Sequence, residues 1–357
     1  MDSRIREHAS ILVNWCTEIE SDDDVLITAS PEAEDLVLAL HEKIGEKGAE
    51  PVTLYSRSEN SRAFLKNHDG EFRLPEHKKA LYEETDVAIR IRSDPNQMAM
   101  NDVPGELLAE RSRVNQPLQE IMLSKRWCLT QHPTDSHAQL AEMSLEEYKN
   151  FVYGAINRDW SDVEEYQQEL TDRLEDASEV RISTPETEIE MSVEGMHAVN
   201  SCGRHNMPSG EVFTAPVPTS VEGEVHFDKP LVHQGHEIED VRMEFEDGEV
   251  SEYSAGSEED EEVLSDLLET DDGARRLGEL GIGTNREIDR FTHNMLFDEK
   301  MGDTVHMALG RAYDENVGDD REKNGSAVHV DMITSVDEGR IEFDGEVVQQ
   351  DGEFVWE

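Results

Sequence analysis

T-V-H-M-A-L-G at residues 304–310 and S-A-V-H-V-D-M-I at residues 326–333 each set one histidine in an apolar background. Side chains of an extended strand alternate between its two faces. His329 and Asp331 therefore share a face, while Val328, Val330 and Met332 turn towards a core. In the first stretch Val305 and Met307 face one way, and Thr304, His306 and Ala308 the other. Just upstream, G-E-L-G-I-G-T-N at 278–285 lodges Glu279 among glycines and apolar residues. Carboxylates abound in this chain, but few have core-like neighbours. Any one histidine taken alone is more often a hydrogen-bonded core residue than a ligand; the company of Glu279 and Asp331 favours a metal scaffold.

The surroundings of this stretch are rich in strands. Residues 180–195, V-R-I-S-T-P-E-T-E-I-E-M-S-V-E-G, alternate apolar and polar side chains, as half-buried antiparallel strands do. Further strands are expected at 211–217, 221–227, 241–253 and 340–348, with Asp247-Gly248 as a hairpin turn. An acidic helix at 258–270 interrupts them. The first half reads differently. Ile5, Leu12, Trp15, Cys16 and Ile19 mark an amphipathic helix over 3–19. V-L-I-T-A at 25–29 is a buried strand, and Ser30-Pro31 caps a helix that runs to Lys47 and stops at Gly48. Strands at 51–56, 87–91 and 127–130 alternate with helices, Ser144 and Glu147 form a capping box, and helix continues to Ala177. The expected architecture is an α/β domain with a mostly parallel sheet over 1–179, then an α+β, strand-rich domain over 180–357. No glycine-rich phosphate loop follows any strand.

At 357 residues the chain is long enough for two cores, and its net charge of −51 is spread over both halves. That charge argues against nucleic acid and anionic membranes, which need a basic footprint. It also implies strong self-repulsion unless salt intervenes; at 1 M salt the Debye length is about 3 Å. A high-salt cytoplasm is the expected setting, since acid in an ordinary cytoplasm gathers into runs or tails. Cys16, Cys128 and Cys202 show neither a disulfide framework nor thiolate-metal spacing. M-D-S-R-I-R-E-H carries no apolar signal core, and no apolar run reaches the ~20 residues of a membrane helix.

N-M-P-S-G-E-V-F-T-A-P at 206–216 adds Glu211 in another apolar, Pro/Gly-bounded segment. Glu211, Glu279, His306, His329 and Asp331 are then three carboxylates and two imidazoles without sulfur, a set suited to zinc, cobalt or manganese. Five ligands exceed one tetrahedral site but suit two ions roughly 3.5–4 Å apart that share a carboxylate and activate a water. Together with residues 277–285, 297–313 and 326–333, this segment resembles the motifs of the aminopeptidase T family of metalloaminopeptidases, in the family's order. R-I-R-E-H-A-S-I-L-V-N-W at 4–15 and P-T-D-S-H-A-Q-L-A-E-M-S-L-E-E-Y at 133–148 extend the likeness over nearly the whole chain. The resemblance implies an aminopeptidase acting on short peptides, two divalent ions on those five residues, and a homodimer. It also makes Glu279 the bridging or water-orienting carboxylate and Tyr313 an active-site tyrosine that donates to the oxyanion.

Other features receive blander readings. His233 and His236 lie in a polar loop-like segment and read as surface; His132 and His137 flank a Pro-Thr turn. Glu299 reads as near the ligands or as an ion-pair partner of Lys300 or Arg311, and Cys202 as packing. A non-catalytic peptide or small-molecule binder on the same fold, or another metallo-amidase or dipeptidase, is the alternative; the complete ligand set argues against the binder. The charge yields the first test. Calorimetric melting in dilute buffer and in molar KCl should show a clearly lower transition at low salt, and an unchanged transition would contradict the high-salt reading.

Overall fold

The structure is a computed structural model that describes residues 1–233 and 236–357. Contacts divide it into two compact units, Met1–Arg158 with Gly203–Pro208, and Asp159–Cys202 with Ser209–Glu357. The division falls at Asp159, earlier than the expected 180. Helix Trp160–Asp176 buries Leu170 and Leu174 in the second unit's core, so its apolar face commits it to that unit. Helical periodicity carries no information about which core a helix joins.

The first unit is built on a five-stranded sheet in the order Glu50–Tyr55, Asp24–Ala29, Val87–Arg92, Arg126–Gln131 and Asn206–Met207. Every ladder in it is parallel, as the alternation of strands and helices predicts. Its strands read as near-continuous apolar runs: Val25, Leu26 and Ile27 are all buried, as are Leu36, Leu40 and Ile44 of helix Glu34–Lys47. Gly48 ends that helix in the left-handed region at φ 83°, where glycine carries no steric cost. Ser30 precedes it but does not cap it; its hydroxyl donates instead to the Ser93 carbonyl at 2.6 Å. Ser144 accepts from the Glu147 amide at 3.2 Å and starts helix Leu145–Ile156 as expected.

The second unit holds two main antiparallel sheets. One runs in the order Glu249–Ser254, Val241–Glu246, Glu222–Phe227, Thr187–Ser192, Glu179–Thr184, Arg340–Phe343, Glu346–Gln350 and Glu353–Phe354. The other runs His329–Ser335, Thr304–Gly310, Leu277–Gly283, Glu211–Thr214 and Val199–Ser201. Alternate residues of both sheets meet in one core: Val180, Ile182, Ile189, Met191, Val225 and Phe245 from the first, and Leu280, Ile282, Val305, Met307, Leu309 and Met332 from the second. Helix Glu258–Leu268 contributes Leu264, Leu267 and Leu268 to it. Leu277–Gly283 is a fully buried strand that its glycine-rich sequence does not announce. His233 and His236 pair across a short two-stranded ladder, and the intervening residues 234 and 235 lie outside the described residues. Among the described residues no helix is long and apolar enough to cross a membrane.

Asp247 and Gly248 both take positive φ, 51° and 79°, in the hairpin between Val241–Glu246 and Glu249–Ser254. A Cβ on Gly248 would lie 2.1 Å from the Pro218 carbonyl oxygen. Gly248→Ala should therefore cost at least about 1–3 kcal/mol from the backbone conformation alone, read as a lower urea midpoint; an unchanged midpoint would show that the turn relaxes freely.

Candidate metal centre

The five expected ligands fall on four adjacent strands of one sheet and on the same face of it. Cross-strand register places Glu279 opposite Ala308, Ala308 opposite Asp331, Gly281 opposite His306, Gly310 opposite His329 and Gly283 opposite Glu211. Each ligand thus faces a glycine or an alanine. At Gly281 the missing side chain leaves the space that a ligand from the next strand fills, since a Cβ there would stand 2.0 Å from His306 Cε1; at Gly283 and Gly310 it would instead meet the carbonyl oxygens of Met301 and Val328 at 2.0 and 2.2 Å. The opposite face of the same strands is the core described above, so the scaffold is rigid where the ligands attach.

The donor atoms converge. Glu279 Oε1 lies 3.0 Å from His306 Nε2, and Glu279 Oε2 lies 3.5 Å from His329 Nε2. Asp331 Oδ1 is 3.5 Å from His329 Nε2, and Glu211 Oε2 is 3.9 Å from His306 Nε2. One ligand atom each from Glu279, His306 and Asp331 lies within 4.8 Å of the others. Two ligands held by one ion at about 2.0–2.1 Å in tetrahedral geometry stand roughly 3.3 Å apart, a value these spacings bracket. Glu279 Oε2 and His306 Nδ1 are buried without a hydrogen-bond partner. A buried carboxylate oxygen left unpaired beside a histidine is costly unless a cation satisfies it. The donor set therefore fits a divalent metal. His329 Nδ1 sits 2.8 Å from the Arg311 carbonyl, which selects the tautomer that donates there and leaves Nε2 free as a donor to metal.

The electrostatics express the same demand for positive charge. Burial pushes the Glu211 carboxyl up to about 7, against the pull of Lys300 and His306. Burial also raises Glu279, against its hydrogen bond from His306. Burial works against charge on the imidazoles, yet the carboxylates outweigh it: His306 rises to about 10, chiefly through Glu279, and His329 to about 9, through Asp331 and Glu279. Asp331 goes the other way; burial would raise it, but His329, His306 and Lys300 hold it below its usual range. Protons on the two imidazoles stand where a cation would, and a metal entering must displace them. Tyr313 places its ring 4.8 Å from that of His329 and 6.4 Å from that of Phe213. Its hydroxyl is held above its ordinary value by burial and by the carboxylates of Glu279 and Asp331, so it remains a hydrogen-bond donor.

Beyond the five ligands, the structure adds residues that sequence patterning does not single out. Lys300 is fully buried, pairs closely with Glu299, and lies 3.4 Å from Glu211 Oε1. The Ser201 hydroxyl donates to the same oxygen at 3.1 Å, and Gln167 of helix Trp160–Asp176 donates to the Glu211 carbonyl at 3.0 Å. A lysine between Phe297 and Met301 was the one local signal available; Ser201 and Gln167 are brought in by strand pairing and helix packing. Asp303 turns to Arg286 at 3.6 Å, and Cys202 is buried with its thiol 3.3 Å from Glu164 Oε1. His132 and His137 belong to the first unit, where burial lowers both to about 4, and His137 shares a 2.7 Å hydrogen bond with Thr134.

The model of the thermophilic metalloprotease family M29 matches residues 1–354. Aminopeptidase 2 of Geobacillus stearothermophilus is 41% identical over 147 residues, 37% of this chain. The matched stretch spans only 35% of that relative's own length. The structure of wild-type AmpT from Thermus thermophilus superimposes with a TM-score of 0.87 at 25% identity, covering 99% of both chains. A 2,5-dihydroxypyridine dioxygenase from Pseudomonas putida shares the fold alone, with a TM-score of 0.58 at 14% identity over 99% of this chain and 96% of its own. Gly281→Ala tests the space left for His306. The added methyl should displace His306 and cut Zn²⁺ binding at least tenfold in titration calorimetry, and wild-type binding would show that the strands part to admit it.

Proposed function

Because the chain belongs to the M29 family of metalloproteases, we propose that it is a metal-dependent aminopeptidase that releases N-terminal residues from short peptides. The observation that carries this reading is Glu279, whose two carboxylate oxygens each face a different histidine, His306 and His329, at 3.0 and 3.5 Å. One carboxylate divided between two imidazoles is what a pair of ions sharing a ligand requires. We infer two divalent ions per chain, zinc, cobalt or manganese, with Glu211 and His306 on one side of Glu279, and His329 and Asp331 on the other. Relatives that are themselves aminopeptidases support the same activity.

When bound, such ions supply Lewis acidity towards a peptide carbonyl and its attacking water. The chain's own groups do the rest. Tyr313, held protonated beside His329, donates to the oxygen that gains charge as the carbonyl becomes tetrahedral. A carboxylate of the cluster carries the proton to the departing amine. The hydrogen bond to the Arg311 carbonyl orients the His329 ring with Nε2 towards Glu279 and Asp331. The high-salt setting rests on a net charge of −51; the cytoplasm as the place of action and a homodimer as the assembly complete the proposal.

Hydrolysis of leucine p-nitroanilide in molar KCl tests it, using chelator-stripped protein with Co²⁺, Zn²⁺ or Mn²⁺ returned. Activity should follow added metal, and Glu279→Gln should lower kcat by at least 10³-fold, about 4 kcal/mol, without unfolding. An active, metal-replete Glu279→Gln protein would remove Glu279 from its role, and no activity with any metal would leave the non-catalytic binder.

A further inference from the structure

We infer that Lys300 is a positioning residue for the metal centre: its ammonium, together with the Ser201 hydroxyl, occupies one oxygen of Glu211 and so presents the other to the cation. This rests on the metal-dependent reading above and extends it to a residue that donates nothing to metal.

Lysine is almost never fully buried unless it is paired, because removing its charge from water costs several kcal/mol. Lys300 is 0% exposed, and its ion-pair partners are Glu299 and Glu211. An apolar side chain of the same length would fill the volume at no such cost, so packing alone does not account for an ammonium here. Its position does. Lys300 Nζ stands 3.4 Å from Glu211 Oε1, and Ser201 Oγ stands 3.1 Å from the same atom. Ser209 donates to the Ser201 carbonyl at 2.8 Å, which leaves the Ser201 proton free for Glu211. Gln167 holds the Glu211 carbonyl at 3.0 Å and takes a 3.0 Å hydrogen bond from Thr284. Glu211 is thereby held at its backbone and at Oε1, and Oε2 is the oxygen left towards His306 Nε2, 3.9 Å away.

A fixed positive charge on Oε1 also bars a cation from that oxygen. Glu211 is thus left with one oxygen to offer, while Glu279 keeps both of its oxygens, one beside each histidine. Groups that orient a metal's ligands without touching the metal typically carry 10–100-fold in metal affinity.

Lys300→Met keeps length and volume and removes the charge. Zn²⁺ titration calorimetry on chelator-stripped protein in molar KCl, with the visible spectrum of the Co²⁺ form, reads the effect. The expected result is one ion bound about 10–100-fold more weakly, the other unchanged, and an altered cobalt spectrum. Ser201→Ala should weaken the same ion by a smaller factor. The double variant should lose less than the product of the two factors, because both act on one oxygen. A folded Lys300→Met with wild-type affinities and an unaltered cobalt spectrum would overturn the inference and leave Lys300 as a structural ion pair. Should Lys300→Met fail to fold, Ser201→Ala decides alone, and unchanged affinity there overturns it as well. Wild-type protein that binds no metal would instead refute the metal-dependent reading, and the role of Lys300 with it.

Discussion

Three carboxylates and two imidazoles crowded onto one buried sheet face set the constraint that the rest of this centre answers. Burial opposes charge on every one of them, and their mutual attraction restores it. The balance raises Glu211 and Glu279 and lowers Asp331, while both histidines stay charged above neutrality. Such an arrangement persists only on a scaffold that does not yield. The apolar reverse face of the same strands, packed on a second sheet and two helices, provides it.

The site is shaped as much by what is missing as by what is present. Gly281, Gly283, Ala308 and Gly310 stand opposite His306, Glu211, Asp331 and His329 in the ladder. Glycine weakens a strand by conformational entropy and by the packing it forgoes. At Gly281 the space given to His306 outweighs that loss, and at Gly283 and Gly310 the absent side chain admits the backbone of Met301 and Val328. The overall charge follows a different logic. It is carried by exposed side chains and bears on the solvent in which the fold is stable, whereas the buried carboxylates bear on what the fold binds.

Around the ligands lies a layer of donors from distant parts of the chain. Gln167 arrives on a helix, Ser201 on an edge strand, and Lys300 on the connection between the two central strands. All three converge on Glu211. The dioxygenase with the same fold shows that the architecture alone does not specify a reaction. Specificity of chemistry resides in this local set of donors and acceptors.

Much was legible in the sequence because it depended on local periodicity. Alternation put His329 and Asp331 on one face of their strand and His306 opposite Val305 and Met307 on its own; the ladder lays the two strands side by side. The parallel sheet of the first unit followed from strands alternating with helices, and the Asp247-Gly248 hairpin from its turn residues. Three features were not legible. The strand at Leu277–Gly283 was not among the expected strands, because its three glycines, one of which makes room for His306, carry no strand periodicity. Helix Trp160–Asp176 belongs to the second unit because its apolar face meets that core, a fact no periodicity encodes. The convergence of Ser201, Gln167 and Lys300 on Glu211 joins residues up to 133 positions apart along the chain (167 to 300). Sequence alone determined which side chains each strand presents and to which face; tertiary structure decided which strands lie side by side, because pairing between distant segments is settled by the core they bury together.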